Sequence, residues 1–131
     1  MDTLSVDTCF LIDFQRERLR GEKGRAHRFL AGRAQARLAV SMVAWGEYVA
    51  GFEDPGSSHL ADLRRRLVRL EIDDEVAAAY ARVFRQLKAA GRLIGANDLW
   101  IAATALACGL PLVSRNESEF GRIGGLTLLE Y

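Results

Sequence analysis

The chain has 131 residues, of which 50% are hydrophobic and 27% charged, with a formal net charge of +1 at pH 7. These values describe a soluble globular protein, a single domain over residues 1–131 large enough to bury a core, and no internal repeat, linker or low-complexity segment appears. No apolar run approaches the ~20 residues of a membrane span, and Met1-Asp2-Thr3 does not open like a leader peptide, so a cytoplasmic protein away from membranes is expected.

In chain order, Leu4-Ser5-Val6 predicts a first strand that ends at Asp7-Thr8. Cys9 to Phe14 then begins a helix with Thr8 as its cap, and the stretch from Arg16 through Gly24, with two glycines, reads as a loop or frayed helix end. Arg25 to Gln35 has a helical pattern that places Ala26, Phe29, Leu30 and Ala34 on one side. Leu38-Ala39-Val40-Ser41 is a second strand, and Met42 to Phe52 a helix carrying Glu47. After the turn cluster Glu53-Asp54-Pro55-Gly56-Ser57-Ser58 comes a helix from His59 to Arg66 and a third strand around Leu70-Glu71-Ile72. Asp73-Asp74 opens the longest helix, which runs to about Ala90 with Val76, Tyr80, Val83 and Leu87 as its apolar stripe.

The clearest signals lie between Leu93 and Phe120. Ile94-Gly95-Ala96-Asn97 is a turn, and Asn97 or Asp98 caps or begins the next helix. From Leu99 to Cys108 every residue but Thr104 is apolar or small, which predicts a buried helix. Gly109 suits a left-handed helix end, and Pro111 prevents continuation. Leu112-Val113-Ser114 is a buried strand, Arg115-Asn116-Glu117-Ser118-Glu119 a polar cluster, and Leu126 to Leu129 a last strand after Gly124-Gly125. Strands alternating with helices predict an α/β fold with a parallel sheet covered on both faces.

Charge and cysteine placement narrow the chemistry. Cys9 and Cys108 are far apart, and neither they nor His27 and His59 show metal-ligand spacing. Both thiols are read as buried in a reducing compartment, and zinc is not expected. From Arg16 to Arg37, eight basic residues face only Glu17 and Glu22, and Arg64, Arg65, Arg66 and Arg69 form a second cluster. Such patches suit phosphate backbones, although sixteen of the eighteen basic residues are arginine, as biased genomic composition also produces.

In an open parallel sheet, functional groups gather beyond the carboxyl ends of strands where the strand order reverses. Asp7 follows the first strand, Asn116 and Glu119 follow the fourth, Glu47 lies in the helix after the second, and Asp98 opens the buried helix. Taken singly, each has an ordinary role as a cap, turn or surface acid. If they converge, their mutual repulsion needs an offset, and an all-oxygen set favours Mg²⁺, with Mn²⁺ as substitute, over zinc.

SVDTCFLID around Asp7, MVAWGEYVAGF around Glu47 and GRLIGANDLWIAATALACGLPLVSRNESEF resemble the PIN-domain ribonucleases, most of all the VapC-type toxins of bacterial type II toxin–antitoxin pairs. The likeness spans nearly the whole chain in order and spacing, and its last segment is the most specific. It implies a three-layer α/β/α domain with a parallel sheet of four to five strands in the order 3-2-1-4-5. It implies a Mg²⁺-dependent endoribonuclease in which Asp7 and Asp98 are the primary metal ligands. Glu47, Asn116 and Glu119 are secondary, and Asp7, Glu47, Asp98 and Glu119 are catalytic. The family often has aspartate just before the phenylalanine, where this chain has Glu119; either Glu119 or Asn116, whose amide oxygen is also a hard ligand, completes the set. The resemblance further implies an RNA substrate, a cognate antitoxin and a homodimer; Trp45, Tyr48 and Phe52, and Tyr80, Phe84 and Leu87, recur at helical spacing that suits either an interface or the core. Arg115 is placed to brace a phosphate or to pair with an acid.

Other classes fit less well. A phosphoacceptor signalling domain needs a lysine at a late strand end, and Lys23 and Lys88 are not so placed; an aspartyl phosphatase needs an acid where Cys9 stands. The alternative kept in view is a catalytically inactive PIN-fold protein that binds RNA or a partner, against which the intact acids argue.

Overall fold

Five short apolar runs assemble into one sheet in the computed structural model, which describes residues 2–131; Met1, the first residue of the segment read against a leader, lies outside them. The strands are β1 (Thr3–Val6), β2 (Arg37–Ser41), β3 (Val68–Leu70), β4 (Leu112–Val113) and β5 (Leu128–Leu129). All neighbours are parallel, in the order β3-β2-β1-β4-β5, so the order reverses between β1 and β4. The helices are α1 (Thr8–Arg20), α2 (Arg25–Ala31), α3 (Met42–Ala50), α4 (Ser58–Arg66), α5 (Asp74–Ala89), α6 (Ala96–Ala107) and α7 (Glu117–Phe120). This is the expected α/β architecture with the expected strand order.

The central strands β1, β2 and β4 are covered on both faces and bury most of their residues, while β3 and β5 at the edges are only partly covered. Val6, Val40, Leu112 and Val113 are fully buried, and Phe10, Trp45, Leu60, Ile101 and Phe120 pack around them. Each such aliphatic side chain contributes roughly 1.5–3 kcal/mol. A smaller cluster joins Val76 and Ala79 of α5 to Ala103 of α6, flanked by Tyr80 stacked on Trp100 at 3.9 Å. Trp45, Tyr48 and Leu87 are buried, and Phe52, Tyr80 and Phe84 pack against the core, so the fold itself accounts for both aromatic stripes.

Several boundaries differ from the sequence reading. The helix expected to fray after Phe14 continues to Arg20. The charged segment lacks an apolar period, and Leu19 is 78% exposed, but Arg, Glu and Leu are good helix formers and sustain a helix already nucleated. Gly21, at φ 68°, ends it by turning its amide back to the Arg18 carbonyl. The next helix stops at Ala31, not Gln35, because Gly32 interrupts it; Ala34 is exposed. The third strand is Val68–Leu70 and the last only Leu128–Leu129. Both cysteines are exposed rather than buried: Cys9 lies on the outer side of the first turn of α1, and Cys108 caps α6 where it reaches the surface. Among the described residues no helix is long and apolar enough to cross a membrane.

Candidate active site

The register of β1 builds the site. Val6 pairs with Val40 on one side and Val113 on the other, so Asp7, one residue further, emerges between the ends of β2 and β4 at the reversal of strand order. Its side chain, not that of Thr8, caps α1, accepting from the Phe10 amide at 2.9 Å. The Ser114 hydroxyl donates to its other oxygen at 2.5 Å. Asp7 is only 4% exposed, and burial pushes its carboxyl above the usual value; the bonds from Ser114 and Phe10 pull the other way.

Asp98 arrives from the opposite direction. The cap of α6 is Gly95, which offers no side chain, so neither Asn97 nor Asp98 caps the helix. Both sit in its first turn with side chains free to face the strand ends. Burial first, then a hydrogen bond with Glu119 and the negative charges of Glu119, Glu47 and Asp7, push the Asp98 carboxyl up to about 7. The same bond holds Glu119 below the usual carboxylate range.

The remaining residues line the rim. Glu47 is exposed on α3 and is held from two sides, by the Thr8 hydroxyl at 2.6 Å and the Asn97 amide at 3.2 Å. The polar cluster after β4 folds as the short helix α7, which places Glu119 under the Asn116 amide at 3.3 Å. The Asn116 backbone N–H donates to the Ser114 hydroxyl at 3.0 Å, and the Ser118 hydroxyl donates to the Asn116 side chain. Arg115 pairs with Asp13 at 2.9 Å, and Asp13 also accepts from the Tyr131 hydroxyl.

The fold thus brings Asp7, Asp98, Glu47, Asn116 and Glu119 to one edge of the sheet. Ser114 belongs to the site although the sequence reading did not single it out; Thr8 and Asn97, read there only as cap candidates, hold Glu47, and Asp13 holds Arg115 at the mouth. Hydroxyl and amide side chains carry no periodic signal; only the pairing of β1 with β4, extended by one residue, puts Ser114 beside Asp7. Among the described residues, no three His, Cys, Asp or Glu side chains stand close enough together to hold a metal ion by themselves. The donors present are all oxygen, and burial together with the charges of neighbouring acids raises the Asp98 carboxyl to about 7. That fits an open site for a hard divalent cation that keeps several waters, and not a closed zinc site.

A five-stranded parallel sheet with carboxylates gathered at its switch point defines an α/β protein with an acidic site suited to a hard cation. The sequence pattern of the PIN domain matches residues 4–126, and the chain belongs to the PIN-domain family. It is 29% identical over 119 residues to ribonuclease VapC1 of Methanocaldococcus jannaschii, covering 90% of this chain and 79% of that protein. Ribonuclease VapC2 of Haemophilus influenzae is 33% identical over 86 residues, 66% of this chain and 65% of the relative. In three dimensions the chain is similar to the VapBC-1 structure from nontypeable Haemophilus influenzae, with a TM-score of 0.82, 27% identity and coverage of 98% of this chain and 97% of that one.

Proposed function

We propose that this chain is a Mg²⁺-dependent endoribonuclease of the VapC type, the toxin of a type II toxin–antitoxin pair, and that it acts in the cytoplasm. The observation that carries the reading is the convergence of Asp7, Glu47, Asp98 and Glu119 at the strand-order reversal, where burial and then the charges of the other three raise the Asp98 carboxyl. Asp7 and Asp98 would hold the cation, with Glu119 or Asn116 completing the protein's share; Mn²⁺ would substitute. When bound, a divalent cation there offsets phosphate charge and acidifies water. Ser114 keeps the Asp7 carboxylate oriented. Glu47, fixed by Thr8 and Asn97, stands at the rim where it can orient a water or take its proton. With water as nucleophile, the products are a 5′-phosphate and a 3′-hydroxyl.

Silencing such an enzyme needs a partner, and an apolar groove of about 430 Å³ supports one. Phe10, Leu11, Phe14, Leu30, Leu63 and Leu67 line it between α1, α2 and α4, and Arg18, Arg37 and Arg66 edge it. We assign it to an amphipathic helix of the antitoxin with acidic flanks. A homodimer is proposed from the family resemblance alone, since the core uses the aromatic stripes. The test of the function is cleavage of RNA by the purified chain: it should require Mg²⁺ or Mn²⁺, stop with chelator, and vanish in Asp7→Asn. Cleavage that persists in chelator would refute the metal-dependent reading.

A further inference from the structure

Asp13 lies outside the carboxylate pocket, yet it fixes a cation at the pocket's mouth. Its Oδ2 accepts from Arg115 Nε at 2.9 Å and from the Tyr131 hydroxyl at 2.8 Å. The Tyr131 ring packs edge-on against Phe10 at a centroid distance of 4.9 Å, and Phe10 is 1% exposed. The tether is therefore rooted in the core. Arg115 directly follows Ser114, whose hydroxyl binds Asp7, and its charge is near enough to lower the Asp7 carboxyl.

The asymmetry of this pair is the informative feature. The Asp13 side chain is 19% exposed and that of Arg115 48%. Asp13 engages Nε, and among the described residues no second carboxylate pairs with the guanidinium. The outer edge of a guanidinium carries further donors in a planar fork matched to phosphate oxygens. A plain surface ion pair needs no tyrosine packed on the core behind its acid; this acid is braced by the partly buried Tyr131, which restricts the arginine before any ligand arrives.

We infer that Arg115 binds a backbone phosphate of the RNA at or beside the scissile bond, and that Asp13, with Tyr131, is a positioning residue that presents the guanidinium. The inference rests on the ribonuclease reading above and adds to it a phosphate subsite separate from the cation ligands. Phosphate contacts of this kind set register and carry no base preference.

The test combines cleavage with binding. With divalent cation present, Arg115→Gln lowers kcat/KM roughly tenfold, chiefly through KM, because the contact serves substrate and transition state alike. Without divalent cation, binding of a labelled single-stranded RNA is measured across salt concentrations. Losing one phosphate contact reduces the log–log salt slope by about 0.7 in Arg115→Gln, and Arg115→Lys restores part of it. Asp13→Asn moves KM and slope in the same direction by less, and adds nothing in the Arg115→Gln background. Tyr131→Phe, which removes one hydrogen bond, makes the same comparison should Asp13→Asn fold poorly.

An unchanged slope in Arg115→Gln, or an Asp13→Asn loss equally large without the arginine, overturns the inference while leaving the ribonuclease reading intact. A wild-type chain that binds RNA with the arginine-dependent slope but never cleaves it overturns the ribonuclease reading and keeps the phosphate subsite. A wild-type chain that neither binds nor cleaves RNA overturns both.

Discussion

Replacing Ser114 with alanine removes two hydrogen bonds from the centre of the site. The hydroxyl donates to Asp7 at 2.5 Å and accepts from the Asn116 amide at 3.0 Å. Ser114 is 0% exposed and Asp7 4%, so water does not replace the lost partners. A bond to a charged group contributes roughly 1.5–3 kcal/mol and a neutral one about 1 kcal/mol, which puts the penalty at roughly 2.5–4 kcal/mol near neutral pH. The sign of its pH dependence follows from Asp7. Its folded-state carboxyl already lies above 3.8 because of burial, and Ser114 is the strongest opposing contact, so the substitution raises it further. The penalty is full where Asp7 is ionised and shrinks as pH falls through the folded value toward 3.8. Urea denaturation of wild type and Ser114→Ala in metal-free buffer, near pH 7 and again near pH 4, measures both parts. A difference below ~0.5 kcal/mol at neutral pH, or one that grows on acidification, would refute the reasoning.

Three further outcomes are expected. Glu17 reaches from α1 to accept from the Ala26 and His27 amides and the His27 ring, capping an α2 whose own N-cap, Gly24, supplies no side chain. Burial alone would raise its carboxyl, but those bonds outweigh burial and hold it low. Glu17→Ala therefore costs roughly 1–2 kcal/mol at neutral pH by thermal or urea unfolding, and that difference fades as pH falls below 4.5 through the depressed folded value. Gly24→Ala would set its Cβ 2.5 Å from the Glu17 carboxyl carbon, displace the same cap and cost little more in the Glu17→Ala background; additive losses would contradict this. Ser5 carries a fully buried hydroxyl with no partner among the described residues, so Ser5→Ala should be neutral or stabilising by up to about 1 kcal/mol in urea, and a clear loss would reveal an unrecognised partner.

The sequence disclosed the elements whose signals are local. The run from Leu99 to Cys108, with Gly109 at φ 65° behind it, announced α6, and Asp73 announced α5 by capping it through the Val76 amide. Strand order was legible only through the family resemblance, because very short strands such as Leu112–Val113 carry no pairing information of their own. Asp7, Asn116 and Glu119 could be nominated from their positions after strands, and Glu47 and Asp98 from the helices that carry them. What holds them could not: the bond from Ser114 to Asp7 joins residues 107 positions apart, and that from Asn97 to Glu47 residues 50 apart. Exposure misled in the same way. Cys9 looks internal in an apolar stretch, but as the second residue of α1 it points outward beside the pocket.

The central claim is that Asp7 and Asp98 jointly hold a catalytic divalent cation. Isothermal titration of Mn²⁺ or Mg²⁺ into the chelator-treated chain, alongside RNA cleavage by the same preparations, tests it most directly. Binding should release protons near pH 7, because Asp98 is held protonated at up to about 7 without a cation. Asp7→Asn and Asp98→Asn should each fold, lose the binding heat and lose cleavage together. Either folded variant binding the cation and cleaving RNA as wild type does would contradict the account.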